Sequence, residues 1–236
     1  MTLETIRDVA GQFEPGRTSS EVPMALVWSQ LVDGTSTVVE GFFGPARCYL
    51  VLANNERPLR KLSGRRLEVL ERVLSGQCQK IVAIELGLSA ATIAVSARQA
   101  LALMGVAMTT SRVNPFLMLA AKSAREGDFR RVASFSFFDG AGVELQCLSM
   151  PRPEQRMRGL LPAAEFEVVR YLVEGHSHRE IATLRQTSVR TIANQLASVF
   201  RRQGVSGRSE LIHSLFVSPT LESRPPRSQS GPGSIE

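Results

Sequence analysis

The side chains best suited to chemistry in this chain are one amide and two guanidinium groups near its C-terminal end. Arg190, Asn194 and Arg201 are separated by four and seven residues, a spacing that places them on one face of a helix. An Asn side chain can pair with adenine through two hydrogen bonds, and Arg can pair with guanine or with a backbone phosphate. The spacing therefore predicts a helix face that contacts duplex DNA in the major groove.

Patterns that would predict an enzyme, a metal site or a cofactor site are missing from the sequence. There is no Gly-x-x-x-x-Gly-Lys phosphate loop, no Gly-x-Gly-x-x-Gly fingerprint and no Gly-x-Ser-x-Gly elbow. His176 and His178 are two residues apart without a third ligand, and His213 is expected to be a partly buried helix residue. We therefore expect a protein that is not an enzyme and that holds neither a metal nor a cofactor.

The composition indicates a folded and basic protein. The 236 residues include 28 Lys and Arg against 22 Asp and Glu, a net charge of +6, and 43% of the residues are hydrophobic. Most of the excess charge lies in residues 62–122 (net +4) and 159–215 (net +2), which suits a polyanionic partner. Because the sequence shows no signal peptide, no membrane-spanning apolar run and no CxxC pair, we expect a cytoplasmic protein with reduced thiols.

An internal repeat organises the chain. When the sequence is shifted by 99 residues, residues 62–106 align with residues 161–205 without a gap, and 11 of the 45 positions are identical. Unrelated sequences of ordinary composition would share about three. Several of the identical positions are residue types that begin or end helices. They include the pairs Ser89/Ser188, Thr92/Thr191 and Gly105/Gly204. The repeat predicts two copies of one helical unit.

The second copy predicts four consecutive helices. They are expected over residues 163–174, 177–184, 189–203 and 209–216, with Ser188 as the N-cap of the third. The apolar residues of the third helix follow a buried stripe, and its opposite face is polar and cationic. Two helices joined by a short turn, the second of them amphipathic, are typical of a helix-turn-helix unit.

Strand-like sequence precedes each unit. Residues 25–52 contain Asp33-Gly34 and residues 130–150 contain Asp139-Gly140, dipeptides that favour a hairpin turn between strands. We therefore expect an α+β fold, mainly helical with a small antiparallel β component, in which a short β segment leads into each of two tandem tetrahelical helix-turn-helix units. The expected regions are a β-rich segment (1–61), a first unit (62–122), a β-hairpin connector (123–158), a second unit (159–216) and a disordered tail (217–236).

The repeated unit resembles the LuxR/FixJ-type helix-turn-helix family of transcription regulators, on motifs that cover about 110 of the 236 residues. The second copy carries EGHSHREIA (174–182), SVRTI (188–192), GV (204–205) and RSEL (208–211). The first copy carries Gly76, Lys80, AIELGLSAATI (83–93) and GV (105–106). The sequence departs from the family pattern at Ala94 and Ala193, where Lys is common, and at Arg185, where an apolar residue is usual.

The resemblance implies a set of DNA-contacting positions in each copy. In the first copy they are Lys80, Ser89, Thr92, Val95 and Arg98. In the second copy they are Arg179, Ser188, Thr191, Asn194 and Gln195, and the exposed face of the third helix adds Arg190 and Arg201. The family's base-facing positions correspond to Ala94, Val95 and Arg98 and to Ala193, Asn194 and Ala197. Its phosphate-facing positions correspond to Lys80, Ser89, Thr92, Arg179, Ser188, Thr191 and Gln195.

The predicted function is sequence-specific binding of double-stranded DNA by a bacterial transcription regulator. Because the two copies share one chain and their base-facing residues differ, we expect an intrachain pseudo-dimer that recognises an asymmetric site, with a homodimer left open.

An alternative is that the first copy contacts a protein, for example RNA polymerase, rather than DNA. Its outer helix face is small and apolar, and the stretch Ser96–Leu101 resembles sigma-factor region 4. The residues assigned to that face are Ala90, Ala91, Ala94, Val95 and Ala97.

Overall fold

The computed structural model shows an antiparallel five-stranded sheet with helices on both faces, an α+β fold as predicted. It describes residues 3–11, 20–106, 114–127 and 130–217, so the predicted tail beyond residue 217 lies outside the described residues. The strands are β1 (Ser20–Pro23), β2 (Ser36–Phe43), β3 (Arg47–Asn54), β4 (Arg131–Phe138) and β5 (Glu144–Pro151). The first five helices are α1 (Leu3–Gly11), α2 (Met24–Asp33), α3 (Gly64–Leu74), α4 (Gln79–Leu86) and α5 (Ala90–Leu103). The others are α6 (Asn114–Glu126), α7 (Ala163–Val173), α8 (His178–Leu184), α9 (Val189–Gln203) and α10 (Arg208–Val217).

The order of elements repeats along the chain. A helix, a β-hairpin and three helices follow one another as α2-β2-β3-α3-α4-α5 and again as α6-β4-β5-α7-α8-α9, with a 3₁₀ helix (Pro153–Met157) before α7. The sheet order is β1-β4-β5-β3-β2, so the equivalent strands β3 and β5 are neighbours at its centre. They pair antiparallel with Leu50 opposite Leu148, the arrangement that a two-fold relation between two halves generates. The two predicted β segments therefore form one sheet.

The expected hairpin at Asp33-Gly34 is wrong. Residues 24–33 form the helix α2, and Gly34 ends it in the left-handed conformation at φ 74°. The helix forms because Met24, Val27, Trp28, Leu31 and Val32 recur at helical spacing and are all buried. The turn between β2 and β3 lies further along the chain, where the Gly44 amide donates to the Arg47 carbonyl at 2.8 Å. The second predicted hairpin is confirmed, because β4 and β5 flank Asp139, whose Oδ1 accepts from the Ala141 and Val143 amides.

Both faces of the sheet are covered, which explains the apolar runs of its central strands. Leu50 on β3 and Leu148 on β5 belong to the large core that also contains side chains of α2 and α6. Val51 and Cys147 lie in a separate cluster with Ile6 of α1. Strands buried on both faces read as continuous apolar stretches rather than as an alternating pattern.

Helix α6 joins the two halves. Phe116, Leu117 and Ala120 on this helix are fully buried, and α6 packs against α2, α3 and α10. It ends at Glu126, so it crosses the boundary expected between residues 122 and 123. The same helix therefore follows the first three-helix unit and precedes the second hairpin.

Within the described residues, no single helix is long and apolar enough to cross a membrane. Helices α4 and α5 meet the criteria of length and composition only when they are taken together, and the chain bends by 102° between them. We call α3, α4 and α5 the first helical unit, and α7, α8 and α9 the second helical unit.

Candidate nucleic-acid interface

Helix α9 spans Val189–Gln203, as the sequence predicted, because strong local signals fix both of its ends. The Ser188 hydroxyl accepts a hydrogen bond from the Thr191 amide at 3.0 Å, which satisfies one of the open N–H groups of the first turn. Ile192 and Leu196 are buried on the inner side. Gly204 ends the helix in the left-handed conformation at φ 66°.

The outer side of α9 is exposed and basic. Arg190, Asn194 and Arg201 all lie on the surface, and so do the small residues Ala193 and Ala197. The helix contains no Asp or Glu. Among the described residues, neither Arg190 nor Arg201 has a carboxylate partner. The face therefore carries positive charge that is not neutralised by the described part of the chain, next to an amide that can read a base.

Helix α8 leads into this face through a well-formed N-terminus. The Ser177 hydroxyl accepts from the Glu180 amide, and the Glu180 carboxylate accepts from the Ser177 amide at 2.7 Å. The hydrogen bond from the Ser177 backbone lowers the pKa of the Glu180 carboxyl. Arg179, between these two positions, is exposed as expected for a phosphate contact. Arg208 instead holds the end of α7, since its guanidinium donates to the Leu172 carbonyl at 3.1 Å.

Several of the implied phosphate contacts are already engaged inside the second unit. The Ser188 and Thr191 hydroxyl groups are hydrogen-bonded to each other at 2.9 Å. The Gln195 side-chain oxygen accepts from Arg185 at 2.8 Å, and Arg185 also donates to Glu167 at 3.0 Å. Arg185, which stands where the family usually has an apolar residue, thus forms a polar bridge between α7 and α9. In the sequence, only the unusual residue type at position 185 pointed to this bridge.

Helix α5 occupies the equivalent place in the first unit, and Ser89 caps it by accepting from the Thr92 amide at 3.0 Å. Val95 and Arg98 are exposed as predicted, whereas Ala94 is half-buried. The assignment of Ala97 to the outer face is wrong, because this residue is buried in the core of the unit against Ile93. Ala97 aligns with Leu196 of the second copy, which is also buried, so it belongs to the inner stripe.

The third helix of the first unit carries less positive charge than the third helix of the second unit. Among the residues of α5, Arg98 is the only cation. The three arginines of α9 align with apolar residues of α5: Arg190 with Ala91, Arg201 with Ala102 and Arg202 with Leu103. Outside α5, Lys80 on α4 is exposed and aligns with Arg179.

Instead, α4 exposes large apolar side chains. Ile81 is 52% exposed and Ile84 is 81% exposed, where the second unit has Glu180 and Thr183. Val95 on α5 adds a further exposed apolar side chain at 42%. The apolar surface of the first unit was expected on α5 alone, and the structure extends it to α4. The signal was present, since Ile81 and Ile84 lie off the buried stripe formed by Val82 and Leu86.

The two units also differ in how their third helices end. The Met104 carbonyl, at the end of α5, accepts from the Val38 amide of β2 at 2.8 Å. A Cβ atom at Gly105 would lie only 2.5 Å from the Val38 carbonyl oxygen, so only glycine fits there. At Gly204 a Cβ atom would have no neighbour among the described atoms within 4 Å. The end of α5 is therefore hydrogen-bonded to β2, and no such contact with the sheet is described at the end of α9.

The histidines do not gather around a common centre. His176 is half-buried and lies edge-on to Tyr171, with its Nε2 3.8 Å from Glu174. His213 on α10 is also half-buried, and burial lowers the pKa of its imidazole. Across the described ranges, no group of three or more His, Cys, Asp or Glu side chains is placed to hold a metal ion.

Comparisons of the chain with protein-family models, with curated proteins and with solved structures found no match. They assign neither a family nor an activity. A functional interpretation of the chain therefore depends on the exposed faces of α5 and α9, on their charge and on their attachment to the sheet.

Proposed function

We propose that this protein is a sequence-specific DNA-binding regulator of transcription, acting in the cytoplasm of a bacterium, in which α9 enters the major groove. In this proposal α8 and α9 form one LuxR-type helix-turn-helix unit, and α4 and α5 form a second. The observation that carries the proposal is the outer face of α9, where Arg190, Asn194 and Arg201 are exposed and no acidic residue accompanies them. The opposite face is held in the core by Ile192 and Leu196.

The dimensions and side chains of α9 suit a major groove. A helix of 15 residues is about 22 Å long, and the major groove is wide enough to admit it. Ala193 and Ala197 let the helix backbone approach the base edges closely, since their side chains end at Cβ. Asn194 would then pair with a base, while Arg190 and Arg201 would neutralise phosphates on either side.

The two-fold arrangement of the halves supports the idea of a pseudo-dimer within one chain. The strands β3 and β5 pair along the centre of the sheet, and α6 packs against α10. Both units are therefore attached to one common support. Two contacts made by one chain can bind DNA roughly 10²–10⁴ times more tightly than one, because the second contact is intramolecular. Because α5 and α9 expose different residues, the site would be asymmetric.

Binding measurements on the full chain test this proposal directly. A preferred duplex is selected from a random pool, and fluorescence anisotropy then measures its affinity at increasing salt concentrations. If Arg179, Arg190 and Arg201 contact phosphates, log K should fall with log salt with a slope of about −3. The double variant Arg190→Ala/Arg201→Ala should reduce the slope by about two. The control Arg57→Ala/Arg60→Ala changes two exposed arginines outside both units and should leave the slope unchanged. A lack of selection and equal binding at low and high salt would contradict the proposal.

A second candidate function, protein docking by the first unit, is favoured by the exposed Ile81 and Ile84. Here α4 and α5 would contact a protein of the transcription machinery such as RNA polymerase, while α9 holds the DNA. Binding of the full chain to purified RNA polymerase tests it by biolayer interferometry. Ile84→Arg should abolish that binding, and the matched variant Thr183→Arg in the second unit should retain it. Equal binding by both variants, or none by the native chain, would rule this candidate out.

A further inference from the structure

A series of three polar side chains connects α7 to α9 in the second helical unit. The Arg185 Nε donates to the Glu167 Oε2 at 3.0 Å, and the Arg185 Nη1 donates to the Gln195 Oε1 at 2.8 Å. Arg185 lies in the turn between α8 and α9, directly after the last residue of α8, and its side chain is 16% exposed. Its guanidinium charge is balanced by the Glu167 carboxylate. We call Glu167, Arg185 and Gln195 the polar relay.

The first unit keeps the acidic residue but lacks the relay. Glu68, which aligns with Glu167, pairs with Arg72 of its own helix at 3.2 Å. The place of Arg185 is taken by Leu86, which is buried. An apolar residue in this turn is therefore compatible with the fold of the unit. The relay belongs only to the unit whose third helix is the more cationic.

The relay determines which end of the Gln195 amide faces outward. A guanidinium has donors only, so the end of the amide that faces Arg185 must be the carbonyl oxygen. The Nε2 group, which carries two N–H donors, is then the end that can meet a partner outside the unit. Gln195 is half-buried, which limits the other orientations of its side chain. A glutamine without this contact could offer a donor or an acceptor, whereas Gln195 offers donors.

Gln195 lies at the side of the exposed face of α9 rather than at its centre. One residue advances an α-helix by about 100°, so Gln195 is displaced by that angle from Asn194, toward the buried stripe. A helix in the major groove turns the centre of its outer face to the base edges and its sides to the phosphates that border the groove. Phosphate oxygens only accept hydrogen bonds, so N–H donors at this position match them.

We propose that Arg185 is a positioning residue, which holds the Gln195 carbonyl and thereby aims the Gln195 N–H groups at a DNA phosphate beside the groove. This inference rests on the proposed function, since it requires α9 in the major groove. The family resemblance implies only that position 195 faces a phosphate, and the relay adds how an uncharged amide is held ready for that contact. An amide that is fixed before DNA binds loses less conformational freedom on binding.

The orienting role of Arg185 can be measured without DNA. In ¹⁵N-labelled full-length protein, NMR relaxation gives the order parameter of the Gln195 side-chain amide. Arg185→Leu introduces the residue of the first unit and should lower this order parameter to that of a flexible group, below about 0.6. Arg201→Leu, at an exposed arginine of α9, should leave it unchanged. Circular dichroism melting verifies that both variants fold. Equal order parameters in the native chain and in Arg185→Leu would overturn the inference.

A double-variant cycle measures the same role in binding to the selected duplex. Arg185→Leu should weaken binding roughly two- to tenfold in the native background, and much less when Gln195 is already replaced by alanine. The control cycle combines Gln195→Ala with Arg201→Ala, six residues further along α9 and on another side of it, and its losses should be additive. Gln195→Ala alone should weaken binding without changing the salt slope, because a neutral amide releases no counterion.

The outcomes separate this inference from the proposed function. If the native chain binds the duplex and the losses of Arg185→Leu and Gln195→Ala are additive, Arg185 does not act through Gln195, and only the inference fails. The inference also fails alone if Gln195→Ala leaves the affinity for the duplex unchanged. A native chain that selects no duplex would contradict the proposed function, and the inference with it.

Discussion

The two helical units share one backbone plan but differ in the charge of their third helices. In the second unit, the third helix exposes three arginines and one asparagine, and in the first unit the same helix exposes Val95 and a single arginine. Their inner faces differ much less, since Ile93 and Ile192 are both fully buried. The contrast shows that the two copies keep the buried side of the third helix and differ in its exposed side chains.

The attachment of the two units to the sheet differs in the same way. The end of α5 is bound to β2 by the hydrogen bond between Val38 and Met104, and Gly105 has no room for a side chain. At Gly204, after the end of α9, a Cβ atom would have no neighbour within 4 Å among the described atoms. The more cationic third helix therefore lacks the close approach to β2 that Gly105 makes at the end of α5.

The largest expected effect concerns the residue that links the two halves. Arg152 is 5% exposed and binds the fully buried Glu154, the Gly44 carbonyl of the first hairpin at 3.1 Å and Glu174 at the end of α7. Arg152→Ala would leave Glu154 as an unpaired buried carboxylate, so the free energy of unfolding should fall by about 3–5 kcal/mol. Urea titration measures this loss, and Arg158→Ala, which changes an exposed arginine nearby, should lose less than about 0.5 kcal/mol.

The pH dependence of this variant gives a second check. Burial raises the pKa of the Glu154 carboxyl, and removal of Arg152 should raise that pKa further. A carboxyl whose pKa is higher in the folded than in the unfolded state favours folding at low pH, because the folded protein binds the proton more readily. The difference in unfolding free energy between Arg152→Ala and the native chain should therefore shrink from about pH 7.5 to about pH 5. A difference that grows over this range would contradict the assignment.

The next effect compares the ends of the third helices. Gly105→Ala should destabilise the protein by about 3 kcal/mol, because the new Cβ would clash with the Val38 backbone in addition to the strain of its left-handed conformation. Gly204→Ala meets only the conformational strain and should cost about 1 kcal/mol. Thermal denaturation of the two variants measures the difference. Equal losses would mean that the sheet does not hold α5 more tightly than α9.

A smaller effect is expected on DNA specificity. If Asn194 reads a base as proposed, Asn194→Ala should weaken binding to the selected duplex by about 1–3 kcal/mol and leave binding to random duplex nearly unchanged. Val95→Ala is the matched change at the aligned position of α5 and should alter specific binding by less than about 0.5 kcal/mol. Competition anisotropy with both duplexes separates the two variants. A larger specific loss for Val95→Ala would assign base reading to the first unit instead.

The smallest effect tests whether the first unit lies near DNA at all. Ala91→Arg places on α5 the cation that Arg190 supplies on α9. If α5 approaches a phosphate, the salt slope should steepen by about one. An unchanged slope would place α5 away from the duplex and favour its use as a protein-docking surface.

The elements that could be predicted from the sequence are those with local signals. The bounds of α9 followed from Ser188, Gly204 and the buried stripe between them, all within a short stretch of chain. Helix α2 could not be recognised, because its apolar run fits a strand as well as a helix and Asp33-Gly34 suits either a hairpin or a helix end. The pairing of β3 with β5 joins residues about a hundred positions apart, which no local pattern can indicate.

The candidate site was accessible to sequence reasoning only in part. The exposure of Arg190, Asn194 and Arg201 follows from helical periodicity alone. The bridge from Arg185 to Gln195 and Glu167 depends on side chains that meet only after folding. Alignment of the copies could have placed Ala97 correctly, because its partner Leu196 already lay on the predicted buried stripe.

The central pairing of β3 with β5 within one polypeptide has a consequence for how the two halves can change. In a homodimer that pairs the equivalent strands of two chains, one gene encodes both halves. Every substitution then appears twice, and the two faces stay alike. Here a codon change alters one half only, and an arginine gained at position 190 leaves position 91 as alanine. Dilution cannot separate the two halves of one chain, so a single chain that binds a target should occupy it in proportion to the first power of protein concentration.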